Sequence, residues 1–148
     1  MEKLIRIPRN SSATMQALQR LIASGHFYWC AGTVPRNRLA AFIEKWESRG
    51  LALRADAPAR SYRKKKEQAN HSLVITPDWR EAADVDPVRW FITGTVGIGS
   101  IVTMAHPPAP VFDARRVAGR INFGDYELAL LPKAWMDADG VKQKDTTW

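Results

Sequence analysis

The sequence predicts an α+β fold: a single domain with a mostly antiparallel sheet of five to six strands and two main helices packed on one face. Three observations lead there. Two stretches in the first third, 11–25 and 35–50, repeat apolar residues at helical spacing and end in glycine. The apolar runs elsewhere are short and rich in β-branched and aromatic residues. The late runs are separated by turn-forming pairs such as Gly124-Asp125, which favour hairpins. Runs of strands after runs of helices are the pattern of an α+β domain.

The elements follow in order. Leu4, Ile5 and Ile7 form a possible short edge strand closed by Pro8. In NSSATMQALQRLIASG, Ser11 or Ser12 is positioned to cap a helix, Met15, Leu18, Leu21 and Ile22 line one face, and Gly25 stops it. His26 to Val34 (HFYWCAGTV) reads as a buried strand. Pro35 suits the first position of a second helix, whose stripe is Leu39, Phe42, Ile43 and Trp46 and whose end is Gly50. A basic internal loop is expected over residues 54–70, since Ala55 to Ser61 is Ala-, Pro- and Ser-rich, with a short helix open from Ser61 to Gln68. Ser72 to Thr76 is a short strand, and Asp78 to Asp86 a polar connection. Val88 to Thr93 is a strong strand that GTVGIGS turns into a returning strand, Ser100 to Met104, around a flexible tip. His106 to Pro110 is an extended linker, and Val111 to Ala118 has room for a helical turn or two. Arg120 to Phe123 and Tyr126 to Leu131 pair across Gly124-Asp125. The domain is expected to occupy residues 1–135, with 136–148 a mobile polar C-terminal tail.

Composition bounds the function. The chain has 148 residues, 45% of them hydrophobic, enough for one core and too many for a disordered chain. No apolar run approaches the roughly 18 residues of a spanning helix, and the charged start, Met1 to Arg9, lacks the apolar core of a secretory signal. The single cysteine, Cys30, fits a reducing compartment, so a cytoplasmic location is expected. The net charge of +7 and pI near 9.9 favour an anionic partner.

That charge is concentrated. From Arg54 to Lys66 there are six cations and one acid, a net +5, whereas the other 135 residues hold 16 cations and 14 acids, a net +2. Crowded cations are relieved by an anion, and nucleic-acid phosphates are the common one. The expected contacts are Arg60, Arg63, Lys64, Lys65 and Lys66 on phosphates, Tyr62 stacking on a base, Asn70 and His71 on sugar or base edges, and Arg54 or Asn70 flanking the path. The bland alternative is a solvated loop whose charges only keep the protein in solution. A membrane-surface role is disfavoured because no large apolar face is expected to adjoin the basic run.

Other motifs carry less. GTVGIGS has neither the lysine of a phosphate loop nor the spacing of a dinucleotide fingerprint. His26, His71 and His106 are far apart and show no metal-ligand spacing. Cys30 lies inside a strand, the setting of an inert thiol. Asp84/Asp86 and Asp137/Asp139 occupy polar connections. No cofactor, metal or catalytic constellation is therefore expected. Of six tryptophans, Trp29, Trp46 and Trp90 belong to core faces, while Trp79, Trp135 and Trp148 sit in polar surroundings and are candidates for a protein interface.

The succession FYWCAGTVP, RSYRKKKEQANHSLVI, VRWFIT and GRINFGDYELALL resembles an uncharacterised family of small basic proteins encoded on proteobacterial plasmids and integrative elements, over roughly residues 26–131. The resemblance implies a setting of mobile DNA, replication, transfer or defence, and brings no catalytic residues. The expected function is a non-enzymatic nucleic-acid-binding accessory protein of a nucleoprotein assembly. Single strands are favoured slightly over duplex because no helix-turn-helix or zinc finger is recognisable. The alternative is an adaptor or inhibitor that meets an acidic partner protein through the basic loop and exposed tryptophans.

Overall fold

The aromatic and β-branched runs become β1 (Tyr28–Pro35), β2 (His71–Ile75) and β3 (Pro87–Gly94), which join a short β4 (Phe112–Asp113) in one antiparallel sheet of order β2-β3-β1-β4. The computed structural model describes residues 5, 7–123, 126–129, 131–136 and 142–147, of which 126, 131–136 and 142–147 are described as backbone only. Because β3 is antiparallel to both neighbours, β1 and β2 run the same way on either side of it. Tyr28 and His71 both stand opposite Gly94, so β1 and β2 begin where β3 ends.

The fold class is α+β, as expected, but the helices lie on opposite faces rather than one. In α1 (Ser11–Ala23), Met15, Leu18, Leu21 and Ile22 pack with Trp29, Val74 and Phe91. In α2 (Leu39–Ser48), Leu39, Ile43 and Trp46 pack with Cys30, Leu73, Ile75, Val88, Trp90 and Ile92. The reason lies in the strands. Successive strand residues point to opposite faces, and Leu73-Val74-Ile75 and Trp90-Phe91-Ile92 are apolar at every position. Both faces must be covered, at about 1.5–3 kcal/mol for each large side chain fully buried.

The main sheet also has four strands, not five or six. Ser100 to Met104 does not return along β3, because β1 and β2 already occupy both edges of that strand. Ile101–Thr103 is instead a 3₁₀ turn whose Ile101 is fully buried on the α2 side. Val111 to Ala118 holds β4 and the start of a 3₁₀ turn at Val117–Gly119, not a helix. The hairpin around Gly124-Asp125 forms as β5 (Asn122–Phe123) and β6 (Tyr126–Glu127), in a sheet of its own. Part of the stretch expected as a tail is strand: β8 (Lys142–Thr147) pairs with β7 (Leu131–Met136), in register from Met136↔Lys142 to Leu131↔Thr147. Of the edge strand expected at Leu4 to Ile7, residues 4 and 6 lie outside those described, and Ile5 and Ile7 are not in a strand.

Helix ends follow their sequence signals with two shifts. Asn10, not Ser11 or Ser12, caps α1: its Oδ1 accepts from the Ala13 N–H at 2.8 Å. Pro35 ends β1, and a 3₁₀ turn at Arg36–Arg38 precedes α2. Gly25 and Gly50 stop the two helices with φ of +107° and +103°, a region that favours glycine.

Candidate nucleic-acid interface

Half of the expected basic loop is a helix, α3 (Ala57–Lys65). Asp56 caps it by accepting the Ala59 N–H at 2.9 Å, and Pro58 sits in the first turn, where its missing N–H costs nothing. The proline that argued for a loop thus marks a helix start.

None of the residues of α3 is buried, so burial of apolar surface does little to hold it. Polar contacts do. Arg60 Nε donates to the Ala55 carbonyl at 2.9 Å. Arg63 donates through Nε and Nη2 to the Ala69 carbonyl at 3.0 and 2.7 Å. Asn70 Nδ2 donates to the Arg60 carbonyl at 3.1 Å, and the Asn70 N–H to Thr95 Oγ1 at 2.8 Å. Arg54 pairs with Glu47 at the foot of α2, a contact that raises its pKa further.

The expected contact residues therefore divide. Arg60, Arg63 and Asn70 hold the helix in place, and Arg54 is engaged with Glu47 of α2. Tyr62, Lys64, Lys65 and Lys66 are exposed, Tyr62 to 60%, and none of the three lysines enters an ion pair among the described residues. Lys66 Nζ lies 5.7 Å from the Tyr62 ring, one turn away on the same helix face.

The end of α3 closes in an unusual way. The Gln68 N–H reaches the Arg63 carbonyl at 2.8 Å and the Glu67 N–H the Lys64 carbonyl at 3.1 Å. That double closure needs a left-handed residue between helix and exit, ordinarily glycine. Here it is Glu67, at φ 58°.

The glycine-rich tip packs against this turn. The Ile98 N–H donates to the Glu67 carbonyl and the Ala69 N–H to the Ile98 carbonyl, both at 2.9 Å. Gly97 is required there, since a Cβ on it would lie 2.8 Å from the Glu67 carbonyl oxygen. The tip is pinned rather than free. It leaves Val96 and Ile98 60% and 66% exposed, placing apolar side chains beside the lysines. Thirty residues separate the two segments in the chain, from Lys66 to Val96, so no local pattern signals their contact.

Between this turn and the α1–β1 junction lies an open cavity of about 360 Å³, lined in part by Phe27, Lys64, Glu67, Asn70, Thr95 and Val96. Nδ2 of Asn70 must face the Arg60 carbonyl, which can only accept, and this fixes Oδ1 on the other side. Oδ1 is buried and has no hydrogen-bond partner among the described residues.

Two buried histidines underlie the site. His26, which lines the cavity, approaches Thr93 Oγ1 through Nδ1 at 3.0 Å. His71 Nε2 accepts from the Ile101 N–H at 3.1 Å, which leaves the proton on Nδ1. Burial, with Arg63, His26 and Arg60 nearby, pushes the His71 pKa down to about 3, so it is neutral at ordinary pH. His106 is exposed and distant in sequence. Burial pushes the Cys30 thiol up to about 12, which makes it a poor nucleophile. Among the described residues no three His, Cys, Asp or Glu side chains gather as a metal site.

Trp79 is half-buried on the α2-side core with the Arg36 guanidinium 4.5 Å from its ring, so its surface is committed to packing. Trp135 lies in β7, where only the backbone is described, and Trp148 lies outside the described residues. Among the described residues no helix is long and apolar enough to cross a membrane. Comparison with known proteins adds no relative: no family model, no curated protein and no solved structure matches the chain.

Proposed function

We propose that the chain is a non-enzymatic nucleic-acid-binding accessory protein that meets phosphates through Lys64, Lys65 and Lys66 and stacks a base on Tyr62. One observation carries the reading. Arg60 and Arg63 fasten α3 and Arg54 pairs with Glu47, while the lysines and the tyrosine of the segment are left exposed and free of acidic partners among the described residues. Cations displayed together beside an exposed aromatic ring suit a single strand, whose unstacked bases are available. A cytoplasmic setting and a place in a mobile-element nucleoprotein assembly belong to the same proposal, the latter resting on the sequence resemblance alone.

The test is binding of labelled single- and double-stranded DNA and RNA across a salt series. Replacing Lys64, Lys65 and Lys66 by alanine should lower the slope of log affinity against log salt by about 2 for a single strand, at about 0.7 per phosphate contact. Unfolding stability should stay near that of the parent. Equal affinity and slope in parent and triple variant would sink the proposal.

A second reading has its own observation. Val96 and Ile98, exposed beside the lysines, also suit an acidic protein surface with an apolar centre. It predicts that substituting Val96 and Ile98 by serine abolishes capture of a specific protein and leaves nucleic-acid affinity unchanged.

A further inference from the structure

The cavity beside α3 is not explained by phosphate binding. Its volume, about 360 Å³, lies within the range of small-ligand sites, and its lining is chemically mixed. Phe27 and Val96 supply apolar wall, Glu67 supplies an acceptor, and Lys64 supplies a donor. A phosphate would be repelled by the Glu67 carboxylate, so the cavity fits a neutral group that offers hydrogen-bond donors.

A backbone feature marks Glu67. Glu67 occupies a left-handed position that would be relaxed as glycine, so the side chain is carried against local strain. Glu67 lines the cavity next to Lys64, which also belongs to the phosphate-binding helix.

We infer that this cavity receives one unpaired guanine base of a strand held by Lys64, Lys65 and Lys66, an inference that rests on the nucleic-acid reading. Guanine alone among the bases presents two adjacent donors, N1–H and the 2-amino group, to a carboxylate, with an acceptor, O6, beside them for an ammonium. Adenine and cytosine offer one amino donor next to a ring acceptor, and thymine or uracil one N–H between two carbonyls. Proteins that read unstacked bases do so through this edge.

The experiment uses labelled oligothymidine and oligouridine strands carrying one central guanine, adenine, cytosine or no replacement, bound to the full chain at fixed salt. The guanine strand should bind roughly 5- to 100-fold more tightly than the other three, the range a good two-hydrogen-bond base contact gives. E67Q and E67G should erase that preference and leave affinity for the unreplaced strand equal or higher, since a negative charge is lost. E67G relieves strain, so loss of folding does not explain its result. Four equal affinities in the parent, or a preference retained in E67G, overturn the inference while the nucleic-acid reading stands. No binding to any strand removes both. Free guanosine monophosphate should compete only far above strand concentrations; if it competes at equal concentration, the cavity is a mononucleotide site and the strand-base assignment is wrong.

Discussion

Glu67→Gly is expected to stabilise the protein. At φ 58° an L-residue is held in the left-handed region at a cost of about 1–2 kcal/mol, which glycine does not bear. Glycine's greater freedom in the unfolded chain takes back about 0.5–1 kcal/mol, leaving a net gain of about 0–1.5 kcal/mol with a midpoint of about 0.75 kcal/mol. The hydrogen bonds that close α3, Gln68 N–H to Arg63 and Glu67 N–H to Lys64, are made by backbone atoms and survive the change. The side chain also sits at a helix C-terminus, where negative charge is unfavourable, so its removal alone adds a few tenths of a kcal/mol. Glu67→Ala separates the two effects: it removes the carboxylate and keeps the Cβ. Urea unfolding followed by tryptophan fluorescence should place the midpoints in the order Gly above Ala, with Ala at or slightly above the parent and m unchanged. At this chain length the glycine variant should melt about 1–4 °C higher than the parent. If the glycine variant is no more stable than the alanine variant, the left-handed strain at Glu67 is not real.

Other outcomes follow from the same contacts. Gly32 lies under Trp90, and a Cβ there would stand 2.8 Å from the indole, which Phe42 holds at 5.0 Å between ring centroids, so Gly32→Ala should cost about 1–3 kcal/mol in urea unfolding and alter the near-ultraviolet tryptophan signal. Arg63→Ala removes both hydrogen bonds to Ala69, and amides of 57–66 should exchange faster while those of β3 stay protected; unchanged exchange would show that Arg63 does not tether α3. His71 has a folded pKa near 3 against 6.5 unfolded, so the unfolded chain takes up a proton that the folded protein refuses. Stability is therefore whole above about pH 6.5 and falls as pH drops from there toward 3. His71→Gln, which keeps an acceptor for Ile101 without titrating, should flatten the fall between about pH 6.5 and 5, above the carboxylate range; a slope equal to the parent's there would refute the assignment.

Much of the fold is legible in the sequence where one local signal decides the structure. α1 and α2 announce themselves by apolar spacing and by Gly25 and Gly50, and β3 by a short run rich in β-branched and aromatic residues. The errors come where a local signal has two readings. Pro58 after Asp56 is equally a loop residue and a helix opener, and the hydrogen bond from Ala59 to Asp56 decides it. Leu73-Val74-Ile75 already carried the sign of a sheet covered on both faces, since a half-exposed strand would alternate. The site is legible only as composition. Which cations are free depends on where the carbonyls of Ala55 and Ala69 lie, and no pattern in 54–70 gives that.

The register of the sheet explains why the site is where it is. Tyr28, Gly94 and His71 stand in one row, so the chain enters β1, leaves β3 and enters β2 at the same end. The segments next to that row are the α1–β1 junction, the 95–99 tip and the exit from α3, and these line the cavity. The backbone pairing of Ile98 with Glu67 and Ala69 ties two of them together, and the Asn70 N–H bond to Thr95 repeats the tie one step inward. Residues of this joint, Arg63, Gly97 and Asn70, thus set the position of the cations without being the cations. Substituting them should disturb stability and binding together, whereas substituting Lys64, Lys65 or Lys66 should disturb binding alone. That difference in response separates a built interface from a merely solvated basic helix, for which both kinds of substitution would leave binding unchanged.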